Sequence, residues 1–226
     1  MADPLDNPVW HALTTTQAAL AQAYGSARRY NPEYTALAGF AEPSARGFSD
    51  LAELYKVNEI AGITLEAEQP LPRGWDLLRA MPLLQLKHEG PAAAAAGQDF
   101  VELGAPDVPE MTALALLTKP GPFAARTREL GTYLGVRRDG RLVAMAGERM
   151  RLPGHAEVSA VCTHPQYTGH GYAGVLVAEL ARRLRAGGEA PFLHVRKDND
   201  RAVKLYQRLG FRISKDYLFV MMRRTA

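Results

Sequence analysis

Hydrophobic and polar positions follow the clearest pattern in the second half of the chain, where strand-like and helix-like periods alternate. Runs with a period of two predict strands over residues 100–104, 132–136, 142–150, 155–163, 191–195 and 217–223. Apolar residues three or four apart predict helices over residues 108–118, 123–130, 172–186 and 199–209. Asp139 and Gly140 stand between two predicted strands, and both tolerate the positive φ angles of a tight hairpin turn.

The first half of the chain carries a less regular pattern of the same two kinds. Helices are predicted over residues 9–22 and 48–57, and strand-like runs cover 34–40, 60–67 and 81–89. Gly-Pro, an alanine run and a second glycine predict a linker over residues 90–98. We therefore expect an α/β N-terminal region over residues 1–95 and a second domain over residues 96–226.

Composition places the chain among ordinary globular proteins. It has 226 residues, 47% of them hydrophobic and 23% charged, which is enough to bury a core. The single cysteine, Cys162, excludes an internal disulfide and fits a reducing compartment. No secretory signal and no apolar run of membrane-spanning length are visible, so a cytoplasmic location is expected. No cluster of histidine, cysteine or carboxylate residues has metal-ligand spacing, so no metal is expected.

Charge is unevenly distributed along the chain. The overall net charge is +3, yet the segment from Arg151 to the end holds 13 Lys and Arg against 6 Asp and Glu. A basic C-terminal third suits an anionic ligand such as a phosphorylated cofactor, although charge alone favours the simpler explanation of a solvated helix face. Basic and aromatic residues are not interleaved as single-stranded nucleic acid binding favours, so no nucleic acid partner is expected.

One stretch combines an apolar strand, a glycine-rich turn and an amphipathic helix. It reads AVCTHPQYTGHGYAGVLVAELARRL, with Gly169 and Gly171 just before the predicted helix. The helix is predicted to turn one side to the core, with Val175, Leu176, Leu180 and Leu184, and the other to solvent, with Glu179, Arg182, Arg183 and Arg185. The first turn of a helix has free N–H groups and partial positive charge, and glycines let a phosphate approach the backbone. A nucleotide P-loop is excluded because no Gly-Lys-Ser/Thr occurs. The literal GxGxxG of residues 169–174 also matches a dinucleotide fingerprint, but a hairpin precedes it and few residues follow.

Two motifs in order resemble the GNAT superfamily of acyl-coenzyme A-dependent N-acyltransferases. TGHGYA, from Thr168 to Ala173, is similar to the superfamily's motif [QR]-x-x-G-x-[GA], with Thr168 where Gln or Arg is usual. Gln166 begins a second match two residues earlier. After one helix and one strand, residues 199–211 resemble N-x-x-A-x-x-L-Y-x-x-x-G-F. The resemblance implies an α/β (α+β) fold with a mixed, mostly antiparallel sheet flanked by helices.

The resemblance also implies roles for individual residues, with acetyl-CoA as the cosubstrate. The strands before and after the helix at 172–186 are expected to splay apart. The pantetheine arm would then bond to the backbone of residues 161–163, while amides of the turn hold the pyrophosphate. The cofactor-binding residues implied are Val161, Cys162, Thr163, Thr168, Gly169, His170, Gly171, Tyr172, Ala173, Gly174 and Asn199. Tyr206 matches the superfamily's usual general acid for the departing thiolate.

The general base and the acceptor are less closely specified. Glu157 lies where histone-type members place a catalytic glutamate, and strand alternation puts it on the side of Ser159 and Val161. Glu148 and a water relay are the alternatives. The expected activity is transfer of an acetyl group to a primary amine of a small molecule or peptide, with a non-catalytic acyl-CoA sensor or scaffold as the alternative.

The N-terminal region has no catalytic motif, and its order of elements resembles a degenerate copy of the same fold. By that resemblance it would cover the sheet and shape the acceptor pocket. A homodimer is compatible with the sequence and is left open.

Overall fold

The computed structural model describes residues 3–90 and 99–225, which form five α-helices and eleven strands. The helices are α1 Pro8–Thr14, α2 Ala45–Ala52, α3 Val108–Thr118, α4 Tyr172–Ala186 and α5 Asp200–Arg208. The first five strands are β1 Ala21–Tyr24, β2 Ala27–Tyr30, β3 Ala38–Phe40, β4 Ile60–Leu65 and β5 Trp75–His88. The remaining strands are β6 Val101–Glu102, β7 Tyr133–Arg138, β8 Arg141–Leu152, β9 His155–Thr163, β10 Ala190–Arg196 and β11 Phe211–Arg224.

Eight strands build the main sheet, in the order β4-β11-β5-β10-β9-β8-β7-β6. Every neighbouring pair is antiparallel except β9 and β10, which are parallel. A separate small sheet has the order β1-β2-β3. The predicted fold class, a mixed and mostly antiparallel sheet flanked by helices, is confirmed.

The main sheet combines strands from before and after residue 96. β5 lies between β10 and β11, pairing with β11 from Trp75 to His88 and with β10 from Leu83 to Lys87. β4 in turn pairs with the outer side of β11. The two predicted regions therefore share one sheet, and their division at residue 96 stays a prediction. Of the predicted linker over residues 90–98, all but Gly90 lies outside the described residues.

Several predicted elements match the structure closely. Helices α3 and α4 have the predicted bounds, and α5 is shorter than predicted by one residue at each end. The turn between β7 and β8 has positive φ at both predicted positions, 49° at Asp139 and 76° at Gly140. The final strand is longer than predicted because the whole of β11 pairs with β5.

Other predicted elements are shorter than their patterns indicated. The predicted helix over residues 9–22 ends at Thr14, whose hydroxyl donates to the Trp10 carbonyl oxygen at 2.7 Å. Three consecutive threonines disfavour a helix there, because β-branched side chains lose rotamer freedom and their hydroxyls compete for backbone groups. The predicted helix over residues 123–130 reduces to a 3₁₀ turn at Thr127–Leu130.

Helix α4 packs on one face of the sheet through a continuous apolar side. Leu176, Val177, Leu180 and Leu184 are buried there, while Val175, predicted to face the core, is half-buried. Glu179 was predicted to face solvent and is instead buried. Its carboxylate accepts hydrogen bonds of 2.8 Å from both Arg182 and Arg183, and the bond from Arg182 is the main reason that its pKa falls to about 2.

The opposite face of the sheet is covered by α3 and by the N-terminal segment. Met111 and Leu114 of α3 pack on Met145 and Cys162. Leu5, Val9 and Leu13, in α1 and the residues before it, pack together with Phe192 of β10. The N-terminal residues are therefore part of the cover over the middle of the main sheet.

A fragment of residues 96–226 is expected to be insoluble or unfolded, because it lacks the strand between β10 and β11 and leaves two ladders unpaired. Soluble yield and thermal unfolding followed by circular dichroism would measure this. Co-expression with residues 1–95 should restore soluble protein, since that fragment supplies β4 and β5. A soluble 96–226 fragment with a cooperative transition would contradict the expectation.

Candidate active site

The turn that leads into α4 presents free backbone amides to solvent. Gly169 and Gly171 have φ angles of 90° and 80°, and both residues are exposed. No side chain caps Gly171, and the first helical bond runs from the Val175 N–H to the Gly171 carbonyl oxygen at 3.2 Å. The N–H groups of Tyr172, Ala173 and Gly174 therefore precede the first intrahelical bond, where a helix carries partial positive charge. This arrangement suits an anionic group.

Side chains around this turn add a cation and two stacked rings. The Arg138 guanidinium, at the end of β7, donates from Nε to the Tyr172 hydroxyl at 3.0 Å and lies 4.9 Å from the centre of that ring. His170 stacks on the Tyr172 ring, with ring centres 5.5 Å apart. Thr168 is exposed, and its hydroxyl donates to the Pro165 carbonyl oxygen at 3.1 Å. Arg138 was not predicted as a site residue, because it lies in a hairpin 30 residues before the turn in the chain.

Strands β9 and β10 separate after a short parallel pairing. They pair only at three positions, the last of which joins Glu157 to Phe192. Beyond this point the β9 backbone from Val158 to Thr163 has no strand partner on the β10 side among the described pairings. Val161, Cys162 and Thr163, predicted to hold an extended arm, all lie in this unpaired part. An extended group can add to such a strand by main-chain hydrogen bonds.

A β-bulge interrupts β9 within the unpaired part. Met145 pairs with Cys162 while Gly147 pairs with Ser159, so β9 has one extra residue there, and Ala160 adopts a φ of 52°. A non-glycine residue in this region is strained, and bulges of this kind redirect the backbone. The bulge also corrects the predicted alternation. Cys162, rather than Val161, shares the face of Glu157 and Ser159, and Val161 packs with the α4 side.

Tyr206 and Asn199 are both placed by α5. Tyr206 is buried, and its ring centre lies 6.1 Å from that of Phe211. Burial raises the pKa of its hydroxyl, and the nearby Cys162 thiol raises it further, so the phenol stays protonated. Asn199 is exposed and caps the helix, its side-chain oxygen accepting from the Ala202 N–H at 3.2 Å. Tyr206 is therefore beside the open part of β9, while the observed contact of Asn199 is structural.

Glu157 is fully buried in a network of charged and polar groups. Its carboxylate accepts two hydrogen bonds from Arg149, of 2.8 and 2.7 Å, and a third of 2.8 Å from His194 Nδ1. Burial alone would raise the pKa of this carboxyl. The charge of Arg149 and the bonds from His194 and Arg149 outweigh burial and lower the pKa to about 2. The group is an ionised, fully engaged carboxylate.

Residues from the first half of the chain complete this network. Gln85 donates from Nε2 to the Leu5 carbonyl oxygen at 3.0 Å and lies 3.3 Å from His194 Nε2. Gln17 donates to the Arg149 carbonyl oxygen at 3.0 Å and accepts from the Tyr30 hydroxyl at 2.6 Å. These glutamines carry no sequence motif, and only the folded arrangement shows what they bind.

Glu148, the alternative base, and the thiol of Cys162 are both buried. Glu148 is buried and paired with Arg151 at 2.5 Å. Cys162 is buried, and burial raises the pKa of its thiol to about 11, so the thiolate is scarce at neutral pH. Among residues 3–90 and 99–225, no group of three or more histidine, cysteine or acidic side chains is placed to hold a metal. No helix in this part of the chain is long and apolar enough to cross a membrane.

The chain is similar to a solved structure along its whole length. A structure from Novosphingobium aromaticivorans, assigned to the GNAT family of acetyltransferases, matches 100% of both chains with a TM-score of 0.92 and 40% sequence identity. A GCN5-related N-acetyltransferase from Kribbella flavida covers 97% of this chain and 96% of its own, with a TM-score of 0.62 at 18% identity, which shows a shared fold. The family model described as FR47-like protein matches residues 133–220.

Curated relatives match over shorter segments. The N-alpha-acetyltransferase RimI of Mycobacterium tuberculosis is 39% identical over 99 residues, which are 41% of this chain and 61% of that protein. A mycothiol acetyltransferase from Corynebacterium aurimucosum is 41% identical over 66 residues, which are 29% of this chain and 22% of that protein. Each match thus spans less than two thirds of the relative.

Replacing Glu157 by Gln is expected to destabilise the protein by about 3–5 kcal/mol, because it leaves the Arg149 charge buried without its partner. Because folding lowers the pKa of Glu157, its contribution is complete above the unfolded value and is lost as pH falls toward 2. Thermal unfolding between pH 7 and pH 3 would measure both effects. Wild type should lose more stability than the variant over this range.

The control for this substitution is Asp198→Asn, which breaks an ion pair with Arg196 in which both side chains are exposed. It should leave the melting temperature unchanged, because water replaces an exposed pair at little cost. Equal effects of the two substitutions would contradict the structural importance of the Glu157 network.

Proposed function

Because the chain belongs to the GNAT family of acetyltransferases, we propose that it transfers an acetyl group from acetyl-CoA to a primary amine. The observation that carries the proposal is the uncapped N-terminus of α4 beside the unpaired length of β9. The first offers amides to a pyrophosphate, and the second offers a strand edge to a pantetheine arm. Their adjacency suits a ligand that contains both groups.

The donor site is proposed to use backbone more than side chains. The amides of Gly169, His170, Gly171, Tyr172, Ala173 and Gly174 would hold the pyrophosphate, with Thr168 and Asn199 at its margin. Arg138 would add a positive charge beside Tyr172. Val161, Cys162 and Thr163 would bond to the pantetheine arm, and the bulge at Ala160 would direct a backbone N–H toward the thioester carbonyl.

Tyr206 is proposed to donate a proton to the departing thiolate. Its hydroxyl is protonated at working pH and lies in the part of the fold where β9 and β10 have separated. Glu157 was expected to act as the general base, and its buried, fully engaged carboxylate is better suited to positioning Arg149 and His194. We therefore propose that a water molecule relays the amine proton to solvent.

The acceptor is proposed to bind on the sheet face that carries Glu157, under α3 and the N-terminal segment. Residues 1–95 support this by supplying Gln17, Tyr30 and Gln85 to the cover of that face. The named activities of the curated relatives include N-alpha-acetylation and mycothiol acetylation. Peptide α-amines and small-molecule amines are therefore both acceptor classes to test.

Purified protein should release free thiol from acetyl-CoA in the presence of one or more acceptors. A suitable panel contains peptides with a free N-terminal residue, amino sugars, aminothiols and polyamines, with the N-acetylated form of each peptide as its matched control. Thiol release that requires the free amine, with an acetylated product seen by mass spectrometry, would support the proposal. Acetyl-CoA binding without acceptor-dependent release would favour a non-catalytic acyl-CoA sensor or scaffold.

Replacing Gly171 by Ala should weaken binding of coenzyme A about tenfold or more. A side chain at a φ of 80° costs about 1–2 kcal/mol, and relief of that strain would move the amides that hold the pyrophosphate. Isothermal titration calorimetry would measure the affinity.

Gly154→Ala is the matched control, because Gly154 has a φ of 75°, has open space around its Cβ position and lies in the turn before β9, at the opposite end of that strand from the α4 turn. It should lower the melting temperature by a similar amount and leave affinity unchanged. Equal affinities of the two variants would contradict the proposed pyrophosphate site.

A further inference from the structure

Tyr133 carries a buried hydroxyl without a hydrogen-bond partner. The residue is 1% exposed, and its hydroxyl oxygen is one of four buried side-chain atoms without a partner among the described residues. A buried polar group of this kind is destabilising, because its lost hydrogen bonds to water are not replaced. Phenylalanine would fill the same space without that cost, so the hydroxyl calls for an explanation.

The ring of Tyr133 is placed across the neighbouring strand. Tyr133 pairs with Gly147 of β8, which pairs with Ser159 of β9, so the three residues form one row on the same face. A Cβ on Gly147 would come within 2.3 Å of the Tyr133 ring, so the ring lies on the bare glycine backbone. This position directs the hydroxyl along the row toward β9, next to the bulge at Ala160.

The Tyr133 hydroxyl lies near several residues of the proposed reaction site. Burial raises the pKa of Tyr133, Arg149 opposes this effect, and Glu157, Glu148 and Cys162 add to it. The phenol therefore lies within the electrostatic field of the Glu157 network and stays neutral. Cys162 belongs to the same apolar cluster as Tyr133 and also influences the pKa of Tyr206. The two tyrosines thus approach the open part of β9 from different elements.

The cover over Tyr133 comes from the segment between α3 and the following 3₁₀ turn. Phe123 meets the Tyr133 ring edge-on, with ring centres 6.0 Å apart. Phe123 itself is only half-buried. Lys119 and Gly121 in the same segment have φ angles of 51° and 140°, and a Cβ on Gly121 would meet nothing within 4 Å. The segment is exposed at Gly121, and Phe123 is its contact with the Tyr133 ring.

We propose that the Tyr133 hydroxyl is a positioning group for the acyl acceptor, accepting a hydrogen bond from the attacking amine in a pocket that Phe123 covers. The inference rests on the proposed acetyltransferase function and adds a residue to its acceptor side. An N–H donated to the phenol oxygen orients the amine and leaves its lone pair directed at the thioester carbonyl. A phenol that stays neutral can accept this bond without taking part in proton transfer.

The test compares Tyr133→Phe with wild type, using the panel amine that wild type acetylates fastest. The variant should raise the acceptor KM or lower kcat/KM for the acceptor by about tenfold, the scale of one lost hydrogen bond. The KM for acetyl-CoA should be unchanged. The melting temperature should be equal to or above that of wild type, because the hydroxyl bonds to nothing in the free protein.

Tyr30→Phe is the matched control for stability, since the buried Tyr30 hydroxyl bonds to Gln17 at 2.6 Å and its removal should lower the melting temperature. A Tyr133→Phe variant with wild-type acceptor kinetics would overturn the inference while leaving the proposed function intact. A variant with a lowered melting temperature and unchanged kinetics would assign the hydroxyl to a structural water instead. A wild-type protein without turnover would refute the proposed function, and the inference would fall with it.

Discussion

The separation of β9 from β10 is the constraint on which the rest of the structure depends. The two strands pair at three positions only, and Glu157 occupies the last of these. His194 lies two residues further along β10 and still bonds to the Glu157 carboxylate at 2.8 Å. This side-chain bond joins the strands at the point where their backbones part. It marks where the opening begins, in which the extended ligand is proposed to lie.

We call the point where β9 and β10 separate, at Glu157, the fork. A buried carboxylate at the fork requires the polar environment that surrounds it. Removing an ion from water is expensive, and the cost is offset only when its hydrogen-bonding capacity is filled. Arg149 supplies two bonds to Glu157, and its own carbonyl oxygen is held by Gln17 from the N-terminal region. The first half of the chain is thus linked to the fork twice, through β5 beside β10 and through these side chains. The same contacts therefore support both the fold and the candidate site.

Local chemistry explains which parts of the molecule could be predicted from the sequence. Helix α4 and the turn at Asp139-Gly140 follow from short-range spacing and from residues that tolerate positive φ, and both match. The position of β5 depends on pairing with strands more than 100 residues away, for which the chain has no local signal. The positive φ of Ala160 could not be predicted either, because nothing about an alanine in the sequence indicates that conformation. Glu179 was misplaced because adjacent arginines can neutralise a buried carboxylate.

The donor side and the acceptor side of the proposed reaction also differ in how well the sequence predicts them. The donor side consists of consecutive amides and glycines. Its residues lie in one short stretch of the chain, so a motif defined by residue spacing can identify them. The acceptor side is assembled from β7, the segment around Phe123, the fork at Glu157 and residues from the first 90 positions. Side chains brought together from distant elements set specificity, and each can change without disturbing the donor turn. Relatives that share the turn can therefore differ in their acceptors, and the face around Tyr133 and Glu157 is where we propose that such differences arise.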